Sequence, residues 1–568
     1  MWAKHDRDTE GWLPLWRHME DSAAVAGLLW DEWLPESLRR LIAESLPDGE
    51  KDARCLVVWL AAVHDIGKAT PAFACQVDQL ADRMRAVGLE MRTARGFGPE
   101  RRMAPHGLAG QLLLEEWLEG QGWTGRQSGQ YTVVVGGHHG VPPDHGQIKG
   151  LDDRPHFLWT PGPSRPLWRR VQGELLDACA DEYGVRGRLR EWGTVKLSQP
   201  VQVLLTALVI VADWIASNPE LFPYFPQETP RSGQERVAAA WRGLRLLAPW
   251  RPEVRAEDVQ ELFVSRFDLP PGARARPVQE AAVRLAQAMP EPGLMVIEAP
   301  MGEGKTEAAL AVAEIFAARS GAGGVFFALP TMATGNAMFP RLLDWLERMP
   351  AKAGARLSVL LAHSKAALNE EYADLMRSSR QRIAAVDADG PGEEWRPSHA
   401  TRSAPAELVA HEWLRGRKKA MLSSFVVGTV DQLLFAGLKS RHLALRHLAV
   451  AGKVIVIDEV HAYDTYMSAY LDRVLSWLGA YGVPVVVLSA TLPAARRRQL
   501  AEAYAGIATD TADFEVVSQA DGAYPLLTAV RPGHAPVVER PEASARGGEV
   551  HLERLDDDLN VLAERLGH

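Results

Sequence analysis

The stretch LMVIEAPMGEGKTEAAL (residues 294–310) consists of an apolar strand pattern, a loop with two glycines and a helix pattern. This strand–loop–helix order is the context that a phosphate-binding loop requires. Gly302 and Gly304 allow backbone amides to point at phosphates, and Lys305 would reach the β- and γ-phosphates of ATP. Thr306 would bind the Mg²⁺ ion that accompanies the nucleotide. We therefore predict a site for ATP with Mg²⁺, and a chance glycine-rich turn is the alternative.

Apolar runs around this loop predict the fold of the C-terminal half. Four short runs rich in Val, Ile, Leu and Phe are separated by helical patterns: GLMVIEAP (293–300), GVFFALP (324–330), KVIVIDE (453–459) and VPVVVLSAT (483–491). Continuous apolar strands that alternate with helices are typical of a parallel sheet covered on both faces. From residue 276 onward the chain is therefore predicted to form an α/β domain built on a parallel sheet.

Two acidic residues end one of these runs. Asp458 and Glu459 follow an apolar strand pattern, which places both carboxylates at the carboxyl edge of the sheet, where ligands bind in such folds. Asp458 would hold the Mg²⁺ shell, and Glu459 would polarise an attacking water. Acidic residues also end strands without any function. The functional interpretation of the pair is favoured by its position between the phosphate loop and LSAT (488–491).

The N-terminal half has a different spacing of apolar residues. Helical spacing of apolar residues, with breaks rich in proline and glycine, predicts a mostly helical region up to about residue 220. Its most apolar segment, residues 201–216, is too short to span a bilayer and contains Asp213, so we interpret it as a buried helix. The turn-rich stretch 218–234 marks a domain edge, and residues 235–275 suit a connector.

Composition narrows the class of protein. A chain of 568 residues exceeds a single hydrophobic core, so several domains are expected. Its three cysteines lack metal-type spacing, which argues against a disulfide framework and fits a reducing cytoplasm. The net charge of −9 argues against nonspecific nucleic-acid binding over the whole surface and leaves a local basic track open. Residues 380–405 are interpreted as a surface insertion.

Histidines and carboxylates of the N-terminal half suggest a metal site. The candidate ligands are His18, His64, Asp65, His106, His138, His139 and Asp213. Neutral imidazole and carboxylate suit metals such as Mn, Fe, Co, Ni and Zn. The doublet His64-Asp65, within AAVHDIGKATPAF (61–73), and the doublet His138-His139, on a glycine-flanked turn, carry most of this prediction.

The single ligands each have a simpler explanation. His18 could be a surface residue of an amphipathic helix, and His106 could merely begin a helix after a proline. Asp213 lies in a strongly apolar segment, where an unpaired charge would be costly, and it could pair with an arginine instead of a metal.

Several segments of the C-terminal half resemble superfamily 2 helicases of the DExH type. The matching residues are Gly302, Gly304, Lys305 and Thr306 for motif I, Asp458-Glu459-Val460-His461 for motif II, and Ser489-Ala490-Thr491 for motif III. LPTMATGNAMFPR (329–341) and VGTVDQLL (427–434) look like the segments that touch single-stranded nucleic acid, with ordinary sheet-edge loops as the alternative. Gln279 stands where such enzymes often place a glutamine that reads adenine, and a surface glutamine is the alternative.

The order of the N-terminal ligands resembles the HD-type metal-dependent phosphohydrolase domain: His, then His-Asp-x-Gly-Lys, then His, then His-His-Gly, then Asp. With the helicase motifs behind it, the whole chain resembles the CRISPR-associated nuclease–helicases of type I systems, and its details favour the subtype I-E branch. The resemblance implies an antiviral cytoplasmic enzyme that degrades single-stranded DNA and drives DNA movement with ATP. It also implies the Cascade surveillance complex with its crRNA as the partner, and no membrane.

The same resemblance implies a role for each ligand. His18, His64, Asp65 and Asp213 would bind one metal ion, and His106, His138 and His139 would bind a second, with Asp65 as the bridge. The ions implied are two divalent transition metals among Fe, Mn, Ni and Co. Asp65, Lys68 and Glu459 are the residues expected to be catalytic, with Lys68 assisting at the scissile phosphate.

The resemblance also divides the chain. Residues 1–225 would be a helical HD nuclease domain, 226–275 a connector, 276–510 a first RecA-like domain, and 511–568 the start of an incomplete second RecA-like domain. We assign the strand pattern YPLLTAVRP (524–532) to that last part. The expectation is a C-terminally truncated member of the family that binds ATP but hydrolyses it poorly, unless a separate chain supplies the second helicase domain.

Two other functions fit the same residues. An HD-type nucleotide phosphohydrolase with a regulatory ATPase would act on mononucleotides and need no DNA strand, and the helicase-like segments 329–341 and 427–434 count against it. A degenerate fragment would only bind ATP or DNA, and the full set of metal ligands counts against it for the nuclease.

Overall fold

The computed structural model covers most of the chain. The described residues are 1–225, 232–253, 258–270, 272–350, 355–383, 406–409, 414, 419–438, 440, 442–507, 514–518 and 524–544. Most of the predicted insertion 380–405, and residues 545–568 of the predicted second RecA-like part, lie outside these ranges.

The N-terminal part is a bundle of helices behind a short hairpin, as predicted. Strands β1 (Trp2–His5) and β2 (Trp12–Pro14) pair antiparallel. The helices that follow are α1 (Leu15–Leu28), α2 (Glu36–Ala43), α3 (Gly49–Val63), α4 (Pro71–Ala74), α5 (Asp78–Ala86), α6 (Ala94–Phe97), α7 (His106–Gly120), α8 (Gly125–Gly137), α9 (His145–Asp152), α10 (Arg165–Glu182), α11 (Leu189–Trp192) and α12 (Gln199–Ala216).

Helix α12 runs through the middle of this bundle. Ser198 caps its start by accepting a hydrogen bond from the Val201 amide, and a proline occupies its first turn, where the missing amide costs nothing. By length and composition α12 is apolar enough to cross a membrane, yet 72% of it is buried inside the protein. A core helix of a globular domain meets the same test, and the burial agrees with the buried helix predicted from the sequence.

The connector is held by buried ion pairs at both ends. It contains helices α13 (Gly233–Leu244) and α14 (Val259–Arg266). Arg236 of α13 reaches Asp21 of α1 at 3.1 Å. Arg266 of α14 pairs with Glu314 of the following domain at 2.9 Å. The connector therefore packs on the helical bundle at one end and on the sheet domain at the other.

The C-terminal part is built on a largely parallel sheet. Its strands are β3 (Leu294–Glu298), β4 (Val325–Leu329), β5 (Ala355–Ala362), β6 (Ala406–Val409), β7 (Phe425–Thr429), β8 (Val454–Ile457), β9 (Val485–Ser489), β10 (Leu526–Val530) and β11 (Val537–Glu539). Their order across the sheet is β11-β10-β3-β9-β8-β4-β7-β5-β6, and the seven strands from β3 to β6 in that order are parallel. This is the α/β arrangement predicted from the apolar runs.

Helices lie between and around these strands. They are α15 (Pro277–Ala288), α16 (Lys305–Ser320), α17 (Met332–Glu347), α18 (Glu370–Ile383), α19 (Val430–Leu434), α20 (Leu443–Ala451), α21 (Thr465–Ala480), α22 (Ala494–Ala505) and α23 (Glu515–Ser518). Successive residues of a strand pack into different cores. Val296 of β3 belongs to one buried apolar cluster, and the next residue, Ile297, belongs to another. The sheet is therefore covered on both faces, which is why its strands are apolar without interruption.

The prediction that residues 511–568 begin a second RecA-like domain is wrong for the residues described. Strand β10 pairs antiparallel with β3, with Leu526 opposite Glu298, and β11 pairs with β10. The hairpin thus extends the sheet of the first domain. An apolar strand pattern carries no information about which strand it will pair with, so YPLLTAVRP fits an added edge strand as well as an opening strand.

The two parts of the chain share one buried core. Helix α12 packs against α20, the helix that leads into β8. A single cluster of buried apolar side chains includes Leu208 of α12, Leu448 of α20 and Ile455 of β8. The helical bundle is thereby fixed against the same strand that carries Asp458 and Glu459 at its end.

Candidate metal centre and nucleotide site

The structure brings all seven predicted metal ligands together from five helices. His18 lies in α1, His64 and Asp65 follow α3, His106 begins α7, His138 and His139 follow α8, and Asp213 lies in α12. They form two groups, within each of which the possible ligand atoms lie no more than 4.8 Å apart: His18, His64, Asp65 and Asp213, and His106, His138 and His139. The surface interpretation of His18 is wrong, because its side chain is fully buried.

The first group is closed from solvent. Nε2 of His18 lies 3.0 Å from Oδ2 of Asp65 and 3.2 Å from Oδ1 of Asp213. Nε2 of His64 lies 3.4 Å from Oδ2 of Asp65 and 3.5 Å from Oδ1 of Asp213. Two imidazole nitrogens and two carboxylate oxygens therefore converge on one point.

The second group shares Asp65 with the first. The other carboxylate oxygen, Oδ1, lies 3.3 Å from Nε2 of His106 and 3.6 Å from Nε2 of His138. Nε2 of His139 lies 2.6 Å from Nε2 of His106. His139 is exposed and His106 partly so, which means that this group opens to solvent where the first is sealed.

The polar atoms of the centre fit metal ions. Among the described residues, the buried Nε2 atoms of His18, His64 and His138 and both carboxylate oxygens of Asp65 lie close to one another without the geometry of a hydrogen bond, although buried polar atoms normally make one. Nδ1 of His64 donates to the carbonyl of Ala61 at 2.7 Å, and Nδ1 of His138 donates to that of Val135 at 2.6 Å. Such bonds fix the tautomer that leaves the Nε2 lone pair free to bind a metal.

Two lysines neutralise the carboxylates. Nζ of Lys68 lies 2.5 Å from Oδ2 of Asp65, and Nζ of Lys4 lies 3.5 Å from Oδ1 of Asp213. Burial alone would raise the pKa of both carboxyl groups. Lys68 at Asp65 and Lys4 at Asp213, together with the neighbouring histidines, outweigh burial and hold both pKa values well below the usual range. Asp213 therefore pairs with a lysine, and the predicted alternative of an arginine is wrong. The sequence contained no signal for Lys4, which lies on β1.

Burial sets the protonation of the histidines. It lowers the pKa of His138 to about 3, so that this imidazole is neutral, the form that binds metals. At His64 burial also acts to lower the pKa, but the carboxylates of Asp65 and Asp213 outweigh it and raise the pKa to about 9.

The glycine of His-Asp-x-Gly-Lys is explained by packing. Gly67 lies in a 3₁₀ turn (Ile66–Lys68) that rests directly on the first turns of α7. A Cβ atom at this position would overlap the carbonyl oxygen of His106 and come within 2.5 Å of the Gly110 amide nitrogen. The absence of a side chain therefore lets the Asp65 turn approach the helix that begins with His106.

The predicted phosphate loop connects β3 to α16. Gly302 and Gly304 have φ angles of +83° and +73°, in the left-handed region that glycine adopts without strain. Nζ of Lys305 donates to the carbonyls of Ala299 at 2.6 Å and Pro300 at 3.0 Å, so its ammonium lies inside the loop. The loop borders a cleft of about 900 Å³ that is also lined by Gln279, Thr306, Asp458 and Glu459.

Asp458 and Glu459 follow β8 at the edge of this cleft. Burial and the neighbouring Glu459 raise the pKa of Asp458 to about 6. Glu459 has a φ of +54°, a strained conformation for a residue with a side chain, and its carboxylate lies 3.0 Å from Nε2 of His461. Nδ1 of His461 lies 3.3 Å from the hydroxyl of Ser489, which connects the second predicted motif to the third.

The remaining predicted residues also lie near this cleft or edge. Gln279 is buried, so the interpretation as a surface glutamine is wrong. Its Nε2 donates a hydrogen bond to the Gly304 carbonyl at 3.1 Å, and its Oε1 accepts one from the Arg276 amide at 2.9 Å. Segments 329–341 and 427–434 leave the ends of β4 and β7; β4 runs parallel beside β8, and β7 runs parallel on the other side of β4. Both segments therefore start at the sheet edge that carries Asp458.

Comparison with known proteins gives consistent matches. A family model described as "Cas3, HD domain" matches residues 2–222. A CRISPR-associated nuclease/helicase Cas3 of Streptococcus thermophilus is 37% identical over 552 residues, which cover 93% of this chain and 56% of that protein. The chain therefore spans little more than half the length of this relative.

Two solved structures are also similar. T. fusca Cas3 with AMPPNP is 30% identical, with a TM-score of 0.72 over 95% of this chain and 55% of the other. A chain from the structure titled "CRISPR RNA-guided surveillance complex, pre-nicking" is 28% identical, with a TM-score of 0.64 over 96% of this chain and 55% of the other.

Proposed function

Because the chain belongs to the Cas3 family of CRISPR-associated nuclease/helicases, we propose that its helical domain is a two-metal nuclease for single-stranded DNA. The observation that carries this proposal is the carboxylate of Asp65, which faces one group of ligands with Oδ2 and the other with Oδ1. A carboxylate shared by two nitrogen-rich groups is a donor arrangement that suits a pair of divalent transition metals.

The residues divide the work at the scissile phosphate. When bound, Mn, Fe, Co or Ni ions would activate a water and stabilise the attacking and leaving oxygens of the phosphodiester. His138 stays neutral and offers its lone pair, while the exposed His139 marks the open side on which a DNA strand approaches. The Lys68 ammonium, held beside Asp65, supplies positive charge at the phosphate.

The sheet domain is proposed to bind ATP with Mg²⁺ and to couple it to movement along DNA. Lys305 would exchange its loop carbonyls for the β- and γ-phosphates, Thr306 and Asp458 would hold Mg²⁺, and Glu459 would orient the attacking water. Gln279 is proposed to read the adenine, and segments 329–341 and 427–434 to follow the DNA backbone. The similarity to T. fusca Cas3, whose structure includes AMPPNP, supports nucleotide binding by this chain.

A CRISPR RNA-guided surveillance complex in the cytoplasm is the proposed partner. The support is the similarity to a chain from such a complex in a pre-nicking state. In this proposal the complex exposes a single strand, which the helical domain cuts and the sheet domain draws in.

The test uses the purified chain with Mn²⁺ and linear or circular single-stranded DNA. We expect fragmentation of the DNA by the wild type and none by His64→Ala or Asp65→Ala. His447→Ala, which removes a buried histidine outside the centre, is the matched control and should cleave normally. Unchanged cleavage by Asp65→Ala would show that the metal assignment is wrong. Hydrolysis of deoxynucleotide triphosphates without cleavage of DNA would favour the nucleotide phosphohydrolase instead.

A further inference from the structure

His442, in the sheet domain, contacts the backbone of the turn that carries two proposed metal ligands. It is buried and immediately precedes α20. Its backbone amide donates to the carbonyl of Gly140 at 3.0 Å. Gly140 directly follows the doublet His138-His139. This hydrogen bond therefore ties the metal-site turn of the helical bundle to the sheet domain.

The contact leaves no room for a side chain on the turn. Gly140 has a φ of +97°, and a Cβ built there would overlap Nδ1 of the His442 ring and lie 2.7 Å from the His442 amide nitrogen. The glycine after the doublet is thus required both by its backbone conformation and by the close approach of His442. The turn has little freedom to move while His442 stays in place.

The conformation of His442 is itself unusual. Its φ is +63°, in the left-handed region that most residues with a Cβ avoid, although Asn, Asp and His enter it more often than other types. That conformation directs the amide of His442 towards Gly140 at the start of α20. A strained residue that persists in a buried contact is a reason to look for a role.

The ring of His442 contacts the helix that carries a ligand of the first group. It packs edge-on against Trp214 with the ring centroids 5.5 Å apart. Trp214 follows Asp213 in α12, the helix that supplies a carboxylate to the first ligand group. One residue of the sheet domain therefore touches the elements that carry ligands of both groups.

We propose that His442 is a positioning residue of the nuclease, supplied by the motor domain. It holds the His138-His139-Gly140 turn so that both imidazoles face the ligand group that includes Asp65. The inference rests on the proposed two-metal function of that centre. It adds that the affinity of the second metal ion depends on a residue at the start of α20, the helix that leads into β8 and Asp458.

A series of substitutions at His442 in the full chain tests this assignment. His442→Asn tolerates the left-handed backbone and keeps the amide donor, whereas the β-branched side chain of His442→Val opposes it. In Mn²⁺ titration calorimetry we expect two ions to bind the wild type and the Asn variant with similar affinity. For His442→Val we expect the affinity for the second ion, the one held by the group with His138 and His139, to fall about 10- to 100-fold. This is the range for groups that orient metal ligands.

His447→Val is the matched control. This histidine is also buried in the same region, in α20, but it bonds Tyr481 and the carbonyl of Ala436 instead of the metal turn. It should lower the melting temperature without changing either Mn²⁺ affinity. If His442→Val does not fold, His442→Ala serves in its place, with a smaller loss expected.

The outcomes separate the two proposals. Two Mn²⁺ ions bound by the wild type, with equal affinities in the Asn, Ala and Val variants, would overturn the role of His442 alone. A fall in affinity in the Asn variant as large as in Val would also overturn the backbone argument. A wild type that binds no Mn²⁺ would overturn the proposed metal centre, and this inference with it.

Discussion

Asp65 places its Oδ1 atom 3.3 Å from Nε2 of His106 and on the side of the second ligand group. Its other oxygen faces His18 in the first group. Asp213, in contrast, faces only the first group, where its Oδ1 lies near His18 and His64. The two aspartates therefore occupy different positions in the proposed centre, although both are buried carboxylates.

The first prediction compares these two carboxylates. Asp65→Asn should weaken binding of both Mn²⁺ ions, because each group loses a charged oxygen of the shared carboxylate; the first group keeps only Asp213, and the second keeps no carboxylate. Asp213→Asn should lose one ion and retain the other. Titration calorimetry of the purified variants measures the stoichiometry directly. Equal stoichiometry in the two variants would contradict the bridging arrangement.

The second prediction concerns the glycine beneath the Asp65 turn. Gly67→Ala forces a Cβ against the backbone of His106 and Gly110, so the turn and α7 must separate. We expect a loss of stability of about 1–3 kcal/mol, the usual cost of overpacking, together with weaker binding of the second Mn²⁺ ion. Gly120→Ala, at the other end of α7 with open space around it, is the control and should leave metal binding unchanged. Denaturant unfolding and Mn²⁺ titration together check both effects.

The third prediction separates metal binding from chemistry at Lys68. Lys68→Met should still bind two Mn²⁺ ions, since the ammonium is no ligand. At saturating Mn²⁺, its turnover number for single-stranded DNA should fall by about 10²-fold, the cost of removing one charged group that stabilises a transition state. Lys51→Met removes an exposed lysine of the same domain and should cleave at the wild-type rate. A Lys68→Met enzyme as fast as that control would exclude a role at the phosphate.

The fourth prediction concerns the phosphate loop. Lys305→Ala should weaken ATP binding by about 10- to 100-fold, because a hydrogen bond to a charged phosphate contributes about 1.5–3 kcal/mol. Cleavage of single-stranded DNA with Mn²⁺ and no ATP should stay unchanged, since Lys305 lies in the sheet domain and not among the proposed metal ligands. Fluorescent-nucleotide titration and a gel assay measure the two properties side by side. Unaltered nucleotide affinity would mean that the loop is a turn without this function.

The fifth prediction is a pH dependence of stability that comes from Lys453. Its buried ammonium donates to the carbonyls of Met421 and Ala449, and burial lowers its pKa from 10.5 to about 7. Between these two values the unfolded chain binds more protons than the folded one, so the free energy of unfolding rises with pH. This contribution is complete above the unfolded pKa and is lost as pH falls towards 7.

Lys453→Met removes that contribution. The difference in unfolding free energy between wild type and variant should therefore grow in favour of the wild type from pH 7 to pH 9, by at most about 1.4 kcal/mol per pH unit. Urea unfolding at pH 7, 8 and 9 measures it. Parallel stability profiles would show that Lys453 does not titrate in this range.

The sequence predicted the positions of strands well, but it did not predict which strands pair with each other. Apolar runs located β3, β4, β8 and β9, since the interior of a covered parallel sheet admits few polar side chains. Strand β10 was placed in the wrong domain, because its pattern is the same whichever strand it pairs with.

The candidate site shows the same difference between local sequence patterns and tertiary contacts. His64-Asp65 and His138-His139 were recognisable because their neighbours in the sequence are informative. Lys4 and His442 were not, because each reaches the centre only through a tertiary contact, Lys4 with Asp213 and His442 with Gly140.

The packing of α12 on α20 has a consequence for solubility. If the chain were divided between the two domains, apolar side chains such as Leu208 and Leu448, now in one buried cluster, would face water on both halves. Such exposed apolar surfaces promote association with other molecules. Each domain therefore shields the other from aggregation, whatever each contributes to chemistry.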